Sequence, residues 1–176
     1  MIFQETRLRG AYRIELQRLE DERGFFARSW CRNEFLDHGL NAQLAQCNIS
    51  FNRLKGTLRG MHYAAAPFDE AKLVRCTSGA LYDVIIDLRR QSPTYRQHIG
   101  EVLSAANHKM LYVPEGFAHG FQTLEDNTEV FYQMSQFYSP GHARGVRYND
   151  PAFGIHWMIS EPVMTERDRD YPDFRG

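Results

Sequence analysis

KLVRCTSGALYDVIIDL, Lys72–Leu88, is the stretch that decides the fold. It holds two runs rich in β-branched and aromatic residues, KLVRC and ALYDVIIDL, separated by TSG, which is the pattern of a β-hairpin. Within the second run, alternation puts Leu81, Asp83, Ile85 and Asp87 on one face and Tyr82, Val84, Ile86 and Leu88 on the other. Polarity alone then expects Asp83 on a solvent face; the other reading is an acid facing a polar barrel interior. Lys72 heads the first run.

Working outward, similar signals recur. GAYRIELQRL (Gly10–Leu19) alternates loosely before the turn-like EDERG, KMLYVPEG (Lys109–Gly116) runs into a Pro-Gly break, and EVFYQMSQFYSPG (Glu129–Gly141) reads as another aromatic strand ending in a turn. Short strands with Gly/Pro punctuation predict a mostly-β sandwich or barrel. Helical signals are few: CRNEFLDHG predicts a short helix with Gly39 just past its end, and the polar stretch from Thr165 to Gly176 has room for a turn or two. With 176 residues and no repeat, low-complexity tract or linker, one domain spanning 1–176 is expected.

A formal net charge of −1 gives no reason to expect general affinity for nucleic acid or an anionic membrane. Any anion must meet a local basic cluster. Cys31, Cys47 and Cys76 form no CxxC pair, so neither a disulfide framework nor a zinc knuckle is expected. MIFQETRLRG carries no long apolar segment, and no later run is long enough to span a bilayer. The expectation is a reduced cytoplasmic protein.

Several side chains carry possible chemistry. In LRGMHYAAAP (Leu58–Pro67), alternation puts Leu58, Gly60 and His62 on one face and Arg59, Met61 and Tyr63 on the other. A lone strand histidine is ordinarily a hydrogen-bonded structural residue, but the neighbouring Gly60 would let a ligand approach closely. His119, after the Pro-Gly turn of PEGFAHGF, is either a loop histidine or a ligand-facing group at a barrel mouth. Tyr132 and Tyr138, six residues apart, fall on the same side if their strand is regular; such aromatics ordinarily fill cores, but a phenol can also give a proton. Arg23, Gln46, Asn48, Arg59 and Lys72 together could make a phosphate and carbonyl site, because guanidinium groups grip phosphate in a bidentate fashion. PEGFAH also fits half of a metal-binding motif, PxGxxH. Its other half, HxH, is broken by Ala64, which leaves His62, Glu70 and His119 as a thin set of ligands; no metal is expected.

Six segments in order, DERGFFARSW, LRGMHY, AKLVRCTSGALYDVIIDLRRQSPTY, YVPEGFAHGF, VFYQMSQFYSP and NDPAFGIHW, closely resemble the cofactor-independent nucleotide-sugar epimerases typified by dTDP-4-dehydrorhamnose 3,5-epimerase. The match runs from about Asp21 to Trp157 and continues weakly through MTERD. The resemblance implies an all-β, cupin-type jelly roll with a few short helices, a homodimer in which N-terminal strands cross between subunits, no metal or coenzyme, and a nucleoside-diphosphate 4-keto-6-deoxyhexose as substrate. It implies that His62 is the catalytic base, Asp168 the acid that orients it, and Tyr132 the proton donor on the opposite face. By the same resemblance Lys72 stands beside the keto oxygen, Arg59 and Arg23 at the diphosphate, and Gln46, Asn48, Phe26, His119 and Tyr138 in the substrate pocket.

The chemistry suits these residue types. A proton at C3 or C5 is α to the C4 ketone, so its removal gives an enolate; histidine, with an ordinary pKa near neutrality, is a suitable base. A carboxylate on its second nitrogen fixes the tautomer, and an ammonium group stabilises the charge growing on oxygen. Since Arg59 alternates away from His62, it has to reach the ligand around a bulge at Gly60. The sequence departs from the family at Arg28, where GFFxE usually has glutamate, at Gln133, where lysine is frequent, and at Ala64 and Glu70, where glutamine is common. The rival readings are a metal-dependent cupin isomerase or dioxygenase, a sugar-binding jelly roll without catalysis, and a C3-only epimerase or ketoisomerase.

Overall fold

The computed structural model describes all 176 residues. Thirteen strands are present: β1 (Ile2–Glu5), β2 (Tyr12–Glu15), β3 (Leu19–Asp21), β4 (Gly24–Phe26), β5 (Gln46–Asn52), β6 (Leu58–Ala64), β7 (Lys72–Ser78), β8 (Ala80–Asp87), β9 (His98–Ser104), β10 (Met110–Val113), β11 (Phe117–Thr123), β12 (Thr128–Met134) and β13 (Ala143–Gly145). Two short helices, α1 (Arg32–Asp37) and α2 (Glu166–Arg169), complete the set with one 3-10 turn. A six-stranded sheet in the order β1-β2-β10-β7-β12-β5 faces a five-stranded sheet in the order β13-β6-β11-β8-β9, and β3 and β4 form a separate hairpin. Every pairing within them is antiparallel. This is the expected all-β jelly roll, and α1 ends as read, with Gly39 at φ +68°.

The deciding stretch folds differently from a hairpin. β7 lies in the six-stranded sheet and β8 in the five-stranded one, so the two runs do not pair. The chain changes sheets at Gly79, whose φ of +73° suits glycine. A Cβ there would fall 2.5 Å from Thr128 Oγ1. The hairpin pattern fails because a short turn between two β runs looks the same in sequence whether the runs share one sheet or lie in two.

Alternation along β8 holds. Leu81 and Ile85 sit in the core between the sheets with Leu8, Val74, Leu103, Leu111 and Val130. Val84 and Ile86 point to the outer face and pack with Met61, Ala118, Val146 and Phe153. That face is apolar because the chain after β13 covers it. The opposite flank is closed by α1, whose Phe35 packs with Ile14, Leu73 and Met110. Full burial of each such aliphatic side chain contributes about 1.5–3 kcal/mol.

Asp83 corrects the solvent expectation. It shares the inner face with Leu81 and Ile85 and is wholly buried, its Oδ1 2.6 Å from His119 Nε2. A buried carboxylate has to find a partner, and the partner is supplied by the neighbouring strand β11. The regular strand drawn through Tyr132 and Tyr138 also needs correction: β12 ends at Met134, and Tyr138 lies in the exposed segment beyond it. No helix is long and apolar enough to cross a membrane.

Candidate active site

β6 carries the local irregularity on which the site depends. Opposite it on β11, His119 pairs with His62 but Phe121 pairs with Arg59, so three steps on β6 match two on β11. The extra residue is a bulge at Gly60, which has φ +131°. The two backbones come so close that a Cβ on Gly60 would sit 2.5 Å from Gly120 Cα. The bulge reverses the alternation between Arg59 and His62, and both line one cavity of about 590 Å³. Met61 is turned into the outer apolar cluster.

The C-terminal segment completes the surroundings of His62. A parallel bridge between Thr57 and Val163, with Leu58 N donating to Val163 O at 2.8 Å, holds this segment along the start of β6. Thr165 then caps α2, its Oγ1 accepting from Asp168 N at 3.3 Å. Asp168 Oδ1 lies 2.8 Å from His62 Nε2, and its Oδ2 accepts from Gly60 N at 3.2 Å. Burial works to raise the Asp168 pKa, but hydrogen bonding and charge interaction with His62, the Gly60 amide and nearby Arg167 outweigh it and hold the carboxyl below the ordinary aspartate value. Asp168 is therefore ionised and accepts the Nε2 proton, which leaves the His62 Nδ1 lone pair free to act as a base.

The facing wall belongs to the other sheet. Tyr132 on β12 is flanked by Asn48 on β5 and Val74 on β7. Its Oη makes no hydrogen bond within the chain. Burial, aided by the negative charge of Glu70 and opposed by Arg59, raises its pKa, so the phenol keeps its proton. Lys72 Nζ pairs with Glu70 Oε1 at 2.8 Å, and both side chains are nearly buried in the cavity wall. Arg59 is tethered through Nε to Asn52 Oδ1 at 2.8 Å, with both Nη atoms unbonded inside the chain. Gln46 donates to Asn48 Oδ1 at 3.2 Å and accepts from Tyr138 N at 2.8 Å, which places Tyr138 at the cavity mouth.

His62, Tyr132, Asp168, Arg59, Lys72, Gln46, Asn48 and Tyr138 are thus gathered around one cavity. Three expected residues are elsewhere. His119 does not line it: it is buried beneath, bonded to Asp83. Arg23 is at the tip of the β3–β4 hairpin, paired with Asp21 at 2.6 Å, and Phe26, 73 % exposed, ends the same hairpin. No group of three His, Cys, Asp or Glu side chains is placed to hold a metal ion. Of the departures, Glu70 and Ala64 line the cavity, whereas Arg28 is exposed and paired with Glu34 at 2.8 Å.

Arg144 and Arg167 also line the cavity and were missed in the sequence. With Arg59 and Lys72 they set four cations against Glu70 and Asp168, a local positive field suited to a diphosphate. One signal was available for the Arg167 region: Thr165 followed three residues later by Asp168 is a helix-start pattern.

The sequence pattern of the dTDP-4-dehydrorhamnose 3,5-epimerases matches residues 5–176. The dTDP-4-dehydrorhamnose 3,5-epimerase of Sinorhizobium fredii (strain NBRC 101917 / NGR234) is 39 % identical over 173 residues, covering 98 % of this chain and 89 % of the relative. The crystal structure of the enzyme of that name from Elizabethkingia anophelis NUHP1 superposes with a TM-score of 0.96 at 38 % identity, over 99 % of this chain and 96 % of the other. That from Bacillus anthracis str. Ames, with TDP and PPi bound, gives 0.94 at 39 % identity over 98 % and 99 %. Identity of 38–39 % over nearly the whole chain, a shared fold and a matching family pattern have one meaning: this chain belongs to the dTDP-4-dehydrorhamnose 3,5-epimerase family.

Proposed function

We propose that this protein epimerises C3, C5 or both of a dTDP-4-keto-6-deoxyhexose without a metal or coenzyme. The observation carrying this reading is that His62 and Tyr132 approach one cavity from opposite sheets, as removal and return of a proton on opposite faces of one carbon requires. His62 Nδ1 takes the proton α to the C4 ketone. The C–H electron pair moves to the keto oxygen, where the Lys72 ammonium offsets the growing charge. Asp168 keeps the imidazole aimed and stabilises the imidazolium. Tyr132 then delivers its phenolic proton to the far face while the enolate collapses to the ketone, and solvent resets both groups. Incubating the protein with dTDP-4-keto-6-deoxyglucose in deuterated water and reading the product by NMR tests this. Deuterium at inverted C3, C5 or both is expected, and unchanged substrate would overturn the reading.

The diphosphate is assigned to Arg59, aided by Arg144 and Arg167. A charge-assisted contact of this kind contributes about 1.5–3 kcal/mol. Arg59→Ala is therefore expected to weaken dTDP binding by about ten- to a hundredfold. Arg7→Ala should not, because Arg7 bonds His98 O, away from the cavity. Equal affinities by calorimetry would remove Arg59 from the site.

A homodimer would bring Arg23 and Phe26 into use, with the β3–β4 hairpin of one subunit reaching toward the other. In support, the hairpin exposes Leu19, Phe25 and Phe26, and the edge strand β5 exposes Ile49 and Phe51; an open apolar edge of this kind needs covering. Light scattering at micromolar concentration is expected to give twice the chain's mass, and a monomer would count against the dimer. A reduced cytoplasmic setting accords with the three free cysteines.

A further inference from the structure

We infer that Tyr171 is a positioning residue for His62, seated on Gly145, and that α2 and the residue pair Asp168 and Tyr171 grip the imidazole as one clip. The inference rests on the assignment of His62 as the base.

One hydrogen bond fixes one point of a ring. The ring is held at Cγ by its own side chain and at Nε2 by Asp168, and a tilt about the line joining those two points still moves Nδ1. Tyr171 supplies the second contact. Its ring lies 6.2 Å from the His62 ring, centroid to centroid, at 74°, an edge-to-face arrangement. It follows Asp168 by three residues, just past the end of α2, so the segment anchored by Thr165 carries both contacts.

The seat for Tyr171 is built into the sheet. Gly145 on β13 is the direct cross-strand partner of His62 on β6. A Cβ on Gly145 would fall 2.2 Å from Tyr171 Cζ, inside the phenol ring. The missing side chain opposite the base is thus the space that the aromatic ring fills. Tyr171 Oη is buried beside the Arg167 guanidinium, whereas the contact with His62 is made by the ring, so the ring rather than the hydroxyl does the positioning. The consequence is control over where Nδ1 points, on which proton transfer depends steeply.

Four variants test this in the full chain. Tyr171→Ala is expected to lower kcat by about tenfold or more with KM unchanged, because a small misplacement of a reacting group is enough for such a loss. Exchange of substrate hydrogen with deuterated water should fall in step. Tyr171→Phe, which keeps the ring, should restore most of the rate. Gly145→Ala should reproduce the Tyr171→Ala defect by expelling the ring, yet add nothing in a Tyr171→Ala background, where the space is empty. A Tyr171→Ala rate within twofold of the unmodified protein, an equal defect in Tyr171→Phe, or additive effects of the two alanines would each overturn the inference. A second readout is independent of turnover. The Cε1–H resonance of His62, assigned by its loss in His62→Asn, should be ring-current shifted in the unmodified protein and in Tyr171→Phe, and lose that shift in Tyr171→Ala. If the unmodified protein fails to epimerise, the base assignment fails, while the resonance still decides whether Tyr171 holds the ring; an unmoved resonance overturns the clip.

Discussion

His62→Asn is expected to abolish deuterium incorporation into substrate, with kcat lowered by about a hundred- to ten-thousandfold, the range for loss of a positioned general base. Asparagine is smaller than histidine and its amide matches Nδ1 rather than the Nε2 that meets Asp168, but it adds neither bulk nor charge, so the cavity should survive and substrate binding should change little. No enolate forms, so no carbon exchanges. Tyr132→Phe removes a different step. His62 and Lys72 are untouched, and the enolate still forms, but the donor on the far face is gone. This variant should incorporate deuterium with little inversion, or invert slowly through water. The raised pKa of Tyr132, caused first by burial and then by Glu70, sets the sign of the pH dependence: inversion persists to higher pH than for an ordinary phenol and is lost as Tyr132 ionises. In the unmodified enzyme, the count of labelled carbons separates single from double epimerisation. Exchange in His62→Asn as fast as in the unmodified protein would end the assignment of the base.

Asp87→Ala is expected to be the most damaging change for stability. Asp87 ends β8 with its side chain wholly buried and collects the Arg89 backbone N–H at 3.0 Å, Arg89 Nε at 2.9 Å and Nη2 at 2.8 Å, Ser92 Oγ at 2.5 Å and Thr94 Oγ1 at 2.7 Å. Arg89 in turn lies 4.6 Å over the Phe117 ring. Removing the acceptor leaves these donors unpaired and frees the loop from Arg89 to Thr94, at a cost of about 3–5 kcal/mol. Burial pushes the Asp87 carboxyl up, but its five donors win and hold it down to about 2. An unfolded aspartate titrates near 3.9, so the folded state favours the ionised form. The resulting stability, about 2–3 kcal/mol by linkage, is fully present above pH ~4 and is lost as the pH falls through about 2. Chemical denaturation from pH 6 to pH 2 should show the unmodified protein losing this increment and Asp87→Ala lacking it. Equal midpoints for the two proteins at pH 6 would remove Asp87 from the stabilising set.

The strand composition, the Gly/Pro punctuation and the helix at α1 were readable because they are local: alternation and turn chemistry act over a few residues. The proposed catalytic pair, His62 and Tyr132, was reached through short ordered segments, and Arg59 through the condition that Gly60 allow a bulge, which the register of β6 against β11 meets. Arg144 and the Asp83–His119 pairing carried no sequence signal, and Arg167 only the helix-start pattern at Thr165, since each joins the site or finds its partner across a long stretch of chain. So was the fate of β7 and β8.

Sequence by itself determined that the chain forms short β-strands with apolar faces and that His62 and Tyr132 are available. Only the tertiary structure decided that adjacent strands part at Gly79 into opposite sheets, that Arg144 and Arg167 join the cavity, and that a segment a hundred residues downstream brings Tyr171 to the imidazole beside Asp168. The physical reason is one of range. Backbone propensity and side-chain alternation are set by near neighbours, whereas sheet assignment, burial of a charge and convergence on a cavity depend on which distant surfaces exclude water together.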